Sequence, residues 1–172
     1  MKPMLEKCGN VTYQQATVQE THRIYEIVQC TIKAIYPRYY PSEVVDFFRN
    51  HHSLCVIAKD VQAGNVSVLK VDEEIVGTGS FLDNHITRVY VLPEHQKKGY
   101  GTYIMNEIEA VIGKSYDKAC LDASLPAAGL YEKIGYKTIK HERHPVKNDV
   151  ILAYEIMEKE LHHVSTKRIS EL

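Results

Sequence analysis

The sequence predicts a mixed α/β domain in which helices cover a largely antiparallel sheet, with the element order β-α-α-β-β-β-α-β-α-β-β. Two observations predict this class. Apolar residues recur at helical intervals in the first third of the chain, and from residue 66 onward β-branched runs of strand length alternate with two further helical segments. With 172 residues and 44% hydrophobic residues, the chain is large enough for one core, so we expect a single domain over 1–172.

The N-terminal third is predicted to be mainly helical. Thr17 and Glu20 have capping-box spacing and mark a helix start, whereas Pro37 and Pro41 interrupt the helical pattern. For residues 54–58 the pattern leaves two alternatives, a short strand or the end of the helical region. The predicted elements are a strand at 13–16, a helix at 17–36 and a helix from 42 to about 51.

The remainder of the chain is predicted to alternate strands with two helices. The β-branched runs 66–71 and 75–82 are separated by Asp72-Glu73-Glu74, which indicates an antiparallel hairpin. Residues 158–172 are polar and are expected to form a frayed tail. The other predicted elements are a strand at 85–92, a helix ending at Gly113, a strand at 119–124, a helix at 126–134, and strands at 136–142 and 150–157.

Composition excludes several classes of function. The formal net charge of −1, with charges interspersed, argues against a nucleic-acid-binding surface. No apolar run approaches a membrane span or a signal-peptide core, so we expect a cytoplasmic protein without a membrane partner. The cysteines lack a CxxC pair, so we expect buried apolar side chains and no metal site; they are Cys8, Cys30, Cys55 and Cys120.

The segment LPEHQKKGYGTYIM, residues 92–105, is a glycine-rich turn between a strand and a helix. Such turns bind anions because the first N–H groups of a helix lack internal partners. A nucleoside-triphosphate loop is excluded because both lysines precede Gly99, and a dinucleotide fingerprint because Ile104 stands where its third glycine is required. What is left is the pattern Gln-x-x-Gly-x-Gly, formed by Gln96, Gly99 and Gly101.

This pattern resembles the acyl-coenzyme A motif of the GNAT N-acetyltransferase superfamily, Gln/Arg-x-x-Gly-x-Gly/Ala. Residues 124–136, SLPAAGLYEKIGY, are similar to a second segment of that superfamily, Asn-x-x-Ala-x-x-Leu-Tyr-x-Lys-x-Gly-Phe. The sequence departs from it at Ser124, where relatives have the asparagine that contacts the pantetheine arm. The resemblance covers roughly residues 10–157 and is strongest over 85–136.

The resemblance implies a GNAT-like fold and acetyl-CoA as cosubstrate. The turn would hold the pyrophosphate of coenzyme A, and the pantetheine arm would lie in a gap between the strand before the turn and the next parallel strand. The implied cofactor-binding residues are Val89, Tyr90, Val91, Leu92, Gln96, Lys97, Lys98, Gly99, Tyr100, Gly101, Thr102 and Ser124.

For the chemistry, the resemblance implies that Tyr131 is the general acid that protonates the departing thiolate. Many relatives carry a glutamate base eleven positions before the motif glutamine; here that position is His85, so the base is His85 or a water molecule. The N–H of Val91 or Leu92 would polarise the acetyl carbonyl. We expect direct attack in a ternary complex rather than transfer through Cys120.

The acceptor pocket of the superfamily is lined by the first two helices and their connection. Here the connection contains Tyr36, Tyr39 and Tyr40, which together with His85 are the candidate substrate-binding residues. We expect a small-molecule primary amine as acceptor. The alternatives are a peptide or protein amine, or a non-catalytic acyl-CoA sensor, and a homodimer is an open option.

Overall fold

The structure, a computed structural model, describes residues 9–162. Short 3₁₀ turns connect several of its elements. The strands are β1 (Val11–Gln15), β2 (Val66–Val71), β3 (Glu74–Leu82), β4 (His85–Val91), β5 (Lys118–Ala123), β6 (Lys137–Pro145) and β7 (Ile151–Glu160), and the helices are α1 (Thr21–Ile35), α2 (Ser42–His51), α3 (Leu54–Gln62), α4 (Tyr100–Ile112) and α5 (Leu125–Lys133).

The seven strands form one sheet in the order β1-β2-β3-β4-β5-β7-β6. Every neighbouring pair is antiparallel except β4 and β5. The register of this parallel pair comprises two positions, His85–Cys120 and Ile86–Leu121. The β3–β4 register shifts nearby, between Ser80 and Phe81, and a bulge of this kind bends a strand. The predicted fold class is therefore confirmed, and β4 leaves β5 soon after it starts.

The core lies on both faces of the sheet. Residues 76–80 of β3 are all buried, and because successive side chains of a strand point to opposite faces, both faces must be covered. Helices α1 and α4 both contact β3 and β4. Each buries one side with helical spacing; the buried residues include Ile24, Ile27, Val28 and Ile32 of α1, and Ile104, Ile108 and Ile112 of α4.

Gly79 provides a test of how tightly α4 packs on the sheet. A Cβ atom at Gly79 would lie 2.6 Å from both Cγ2 of Ile104 and the hydroxyl of Tyr13, and 2.9 Å from Cδ1 of Ile108. We expect Gly79→Ala to lower the free energy of unfolding by about 1–3 kcal/mol, because the helix must move away from the strand. Urea denaturation measures the change.

The matched control for this substitution is Gly129→Ala. Gly129 is an exposed residue of α5, and no atom lies within 4 Å of a Cβ built there. Alanine should therefore stabilise the protein by about 0.4–1 kcal/mol. Equal stability of the two alanine variants would contradict the packing argument.

Residues 54–58, for which two alternatives were left open, belong to a separate helix, α3. Ser53 caps it by accepting a hydrogen bond from the N–H of Val56 at 3.4 Å. Ile57 and Val61, four residues apart, bury one side of the helix. The strand alternative is wrong, and the helical region contains three helices rather than the two predicted.

The predicted frayed tail is wrong at its start. Residues 158–160 extend β7, which pairs with both β5 and β6. Their polar side chains are compatible with a strand because cross-strand ion pairs use them: Nζ of Lys118 lies 3.5 Å from Glu158 and 3.2 Å from Glu160. Residues 163–172 lie outside the described residues.

The expectation that the cysteines are buried is also wrong for two of them. Cys30 and Cys55 are exposed on their helices, Cys120 is half-buried, and Cys8 lies outside the described residues. Within residues 9–162, no group of three or more histidine, cysteine or acidic residues could hold a metal ion. No helix in that range combines the length and apolarity needed to cross a membrane.

Candidate active site

A cavity of about 310 Å³ lies where β4 and β5 lose their register. Its walls come from distant parts of the chain: β4, β5, α2, α5 and the C-terminal hairpin of β6 and β7. Six of the predicted site residues line it together: Tyr36, His85, Val89, Tyr90, Ser124 and Tyr131. The topology of the sheet therefore brings a candidate acid and a candidate base to one cavity.

The glycine-rich turn joins the end of β4 to α4. Gly99 is the residue before the first turn of α4 and has φ of +86°, and Lys97 also has a positive φ. No atom lies within 4 Å of a Cβ built on Gly99, so the turn is open. The Gln96 side chain braces it, because Nε2 of Gln96 donates to the carbonyl oxygen of Val91 at 2.9 Å.

The first turn of α4 presents unpaired N–H groups beside this open space. The first intrahelical bond is the one from the N–H of Tyr103 to the carbonyl of Gly99, so the N–H groups of Tyr100, Gly101 and Thr102 precede the helical ladder. Lys97 and Lys98 are exposed next to them. This arrangement has the chemistry of an anion-binding site.

The backbone of β4 has a free edge on the side of β5. The N–H of Leu92 donates to Val76 of β3 at 2.9 Å. Since backbone groups alternate along a strand, those of Val89 and the N–H of Val91 point the other way, toward the region where β5 no longer pairs. The carbonyl of Val91 is already engaged by the side chains of Gln96 and Thr31. An extended ligand with amide groups could pair with this edge as an added strand does.

A chain of hydroxyl groups connects the helical region to this part of the sheet. The Tyr36 hydroxyl lies 3.1 Å from the Tyr90 hydroxyl and 3.3 Å from Oγ of Ser124. The three residues are buried. The Ser124 hydroxyl, expected from the resemblance to face the cofactor, is thus already hydrogen-bonded to Tyr36.

Tyr131 lies on α5 with 7% of its surface exposed. Burial, and to a lesser extent the nearby Tyr36, raises the pKa of its phenol well above the usual range. The group therefore stays protonated near neutral pH, and it can serve as a hydrogen-bond or proton donor.

His85 stands at the start of β4 between two residues of β5. Its Nδ1 atom lies 3.5 Å from Sγ of Cys120, and its Nε2 atom lies 3.9 Å from Oδ2 of Asp122. Both ring nitrogens therefore have neighbours that could orient the imidazole.

The three tyrosines of the α1–α2 connection occupy different positions. Tyr36 lines the cavity. Tyr40 packs against Tyr36 and Phe48, and its hydroxyl accepts a hydrogen bond from the N–H of Leu125 at 2.7 Å, at the start of α5. Tyr39 is 51% exposed and lies outside the cavity lining. Tyr40 therefore braces α5, and of the three tyrosines Tyr36 is the one in the cavity lining.

The structure adds cavity residues that sequence reasoning missed: Asp122 of β5, His144 of β6 and Tyr154 of β7. Asp122 breaks an apolar strand and could have been noticed for that reason. His144 and Tyr154 carried no sequence signal, because they reach the cavity through strand pairing at the far end of the sheet.

A network of polar contacts around Arg88, which the sequence did not predict, supports the β4 wall of the cavity. The guanidinium of Arg88 on β4 bonds Oδ2 of Asp60 at 2.8 Å, Oγ of Ser80 at 3.2 Å and Nδ1 of His52 at 3.3 Å. Burial and the charge of Arg88 lower the pKa of His52 to about 2. His52 is therefore a neutral structural residue.

Residues 62–138 match the family model of the GNAT acetyltransferase domain, a span that includes the glycine-rich turn, β4, β5 and Tyr131. This part of the chain is similar to a GNAT acetyltransferase domain. The comparison with curated proteins gave no match.

Solved structures share the GNAT fold over nearly the whole chain. A GCN5-related N-acetyltransferase from Rhodopseudomonas palustris superposes with a TM-score of 0.81 at 20% identity, covering 93% of this chain and 100% of the other. PaiA N-acetyltransferase from Thermoplasma acidophilum, solved with coenzyme A, gives 0.66 at 18% identity over 88% and 99%. YncA from Salmonella typhimurium, a putative acetyltransferase solved with acetyl-CoA, gives 0.64 at 18% over 94% and 99%. At these identities the similarity establishes the fold.

Proposed function

We propose that this protein transfers the acetyl group of acetyl-CoA to a primary amine of a small molecule, by direct attack in a ternary complex. The observation that carries the proposal is the position of Tyr131 and His85 in one cavity, at the gap between β4 and β5. The open Gly99 turn lies at the end of the same strand β4. The cytoplasmic location and a homodimer stay predictions.

The residues present fit coenzyme A. The N–H groups from Lys97 to Thr102 would hold its pyrophosphate, since the backbone at Gly99 is unobstructed. The edge of β4 at Val89 and at the N–H of Val91 would pair with the amides of the pantetheine arm. Bound acetyl-CoA supplies an activated acetyl group and a thiolate leaving group. The cofactors in the PaiA and YncA structures support this assignment.

Tyr131 is the proposed acid. Its phenol is kept protonated by burial, so it can donate its proton to the departing sulfur. The N–H of Val91, which points away from β3, is placed to donate a hydrogen bond to the acetyl oxygen.

His85 is the proposed base, directly or through a water molecule. Its Nε2 atom faces Asp122, whose carboxylate would stabilise the imidazolium that forms when His85 takes the proton of the amine. Cys120 adjoins Nδ1 of the same ring. Desolvation raises the pKa of the Cys120 thiol, which disfavours the thiolate that a covalent route would need.

One observation favours a second candidate, a non-catalytic acyl-CoA sensor. Ser124 replaces the asparagine expected to contact pantetheine, and its hydroxyl is engaged by Tyr36. A peptide or protein amine is an alternative acceptor for the transferase. One measurement distinguishes the sensor and the peptide acetyltransferase from the proposed small-molecule acetyltransferase.

The test is thiol release from acetyl-CoA by the purified protein against amino acids, arylalkylamines, polyamines, aminoglycosides and short peptides. We expect turnover with at least one small amine. If calorimetry shows acetyl-CoA binding while every amine and peptide fails to release thiol, the sensor replaces the transferase. Turnover restricted to peptides would replace the small-molecule acceptor.

A further inference from the structure

The charges that line the cavity indicate what kind of acceptor it suits. Of the described residues in the lining, two carry a permanent charge, Arg88 and Asp122. The remaining titratable groups are tyrosines and four imidazoles. An acceptor in the cavity is therefore exposed to one positive and one negative charge, unless another residue of the protein compensates one of them.

Arg88 is neutralised. Its side chain is 2% exposed, and its guanidinium bonds Asp60, Ser80 and His52 through three different nitrogens. A buried arginine with its partners in place has little capacity to bind a further anion. It supports β4 and leaves the cavity without a free cation among the permanently charged groups.

Asp122 has no permanently charged partner among the described residues. Half of its side chain is exposed, and its Oδ2 atom lies 3.9 Å from Nε2 of His85. Its charge acts on a second lining residue, because the pKa of Tyr154 is raised first by burial and then by the negative charge of Asp122. Asp122 is therefore the one permanently charged group of the described lining that lacks a permanently charged partner.

The rim around this charge is aromatic. The Phe47 ring on α2 stacks with His51 at a centroid distance of 5.7 Å and an interplanar angle of 16°, and it contacts the His144 ring of β6 at 5.1 Å. Phe48, Leu152 and Tyr154 continue this lining. Such a surface favours the apolar or aromatic body of a ligand.

We propose that Asp122 determines acceptor specificity: the site takes primary amines carried on an apolar or aromatic body and rejects acceptors with a carboxylate beside the amine, such as free amino acids. Asp122 attracts the ammonium form of the acceptor and positions it beside His85. An α-carboxylate would be brought next to the Asp122 carboxylate without a free cation to compensate it. This inference rests on the proposed acetyltransferase function.

Three acceptors that share one phenyl group test the inference: phenethylamine, phenylalaninamide and phenylalanine. At about pH 8, where an ordinary imidazole is neutral, we expect kcat/KM for phenethylamine to exceed that for phenylalanine at least tenfold. The amide, which has the same branching but no carboxylate, should resemble phenethylamine. If kcat/KM for phenylalanine equals that for phenethylamine, the specificity inference is refuted, while the proposed transferase function is retained.

Asp122→Asn should lower kcat/KM for phenethylamine at least tenfold and reduce its preference over phenylalanine to less than threefold. Asp122→Glu keeps the charge and should keep the preference, which separates charge recognition from a structural defect. The matched control is Asp46→Asn: Asp46 is an exposed residue of α2, 3.7 Å from Arg49 and outside the cavity lining, and its removal should change neither value. An unchanged preference in Asp122→Asn would refute the role of Asp122.

Calorimetry separates failure of this inference from failure of the proposed function. If no amine releases thiol, the transferase proposal fails. The specificity is then tested by comparing the affinities of phenethylamine and phenylalanine for the protein saturated with coenzyme A. Preferential binding of phenethylamine that Asp122→Asn abolishes supports the inference. Equal binding of the two compounds, or binding of neither, contradicts it.

Discussion

Replacing Gly99 with glutamate is expected to abolish coenzyme A binding, with a rise in Kd of more than a hundredfold. The side chain would start in open space at the first turn of α4, where the N–H groups face the proposed pyrophosphate site. A carboxylate there competes for those groups and repels the phosphates. Isothermal titration with coenzyme A measures the loss.

Two control variants separate charge from backbone strain. Gly99→Ala introduces the strain of a positive φ without a charge, so it should weaken binding far less than glutamate does. Gly64→Glu adds the same charge at another glycine with a positive φ, +77°, in the loop after α3, and should leave binding unchanged. If Gly99→Glu binds coenzyme A like the unmodified protein, the turn is not the phosphate site.

The second large effect is expected for Tyr131→Phe, which should lower kcat at least about a hundredfold while acetyl-CoA affinity changes less than threefold. The reason is that the phenol supplies a proton in the reaction, whereas the ring, which phenylalanine retains, supplies the packing. Steady-state kinetics combined with calorimetry separates the two quantities.

Tyr136→Phe is the matched control for this change. Tyr136 is buried, and its ring centroid lies 5.9 Å from that of Tyr131, yet it is not among the residues that line the cavity. The Tyr136→Phe variant should have the same kcat as the unmodified protein. Equal kcat for Tyr131→Phe and the unmodified protein would remove the acid role, and an equal loss in both variants would indicate a packing defect of α5.

Sequence patterns correctly predicted the features that depend on interactions between neighbouring residues. The capping box is present, with the N–H of Thr17 donating to Glu20 at 2.9 Å. The hairpin of β2 and β3 follows the β-branched runs, and the turn at Gly99 has the positive φ that favours glycine. In each case neighbouring residues supply the decisive interaction.

The sequence did not predict the features that depend on contacts between residues far apart in the chain. Residues 158–160 looked like a solvated tail because their polarity is evident in the sequence, while their pairing with β5 and β6 is not. The bond between Ser124 and Tyr36, 88 residues apart, could not be read from the sequence either, and the cofactor contact of Ser124 stays a prediction. The polar character of a residue does not specify which partner the fold will bring to it.

The sequence by itself determined the fold class and the position of the glycine-rich turn between β4 and α4, because helical and strand periodicity, glycine conformations and motif spacing are local properties of the chain. The tertiary structure alone decided the composition of the cavity. Loss of register between β4 and β5 opens it, Arg88 is neutralised by Asp60 from α3, and Asp122 has His85 as its neighbour but no permanently charged partner among the described residues. Such charge compensation depends on distances between elements far apart in sequence, which only packing of the helices on the sheet can set.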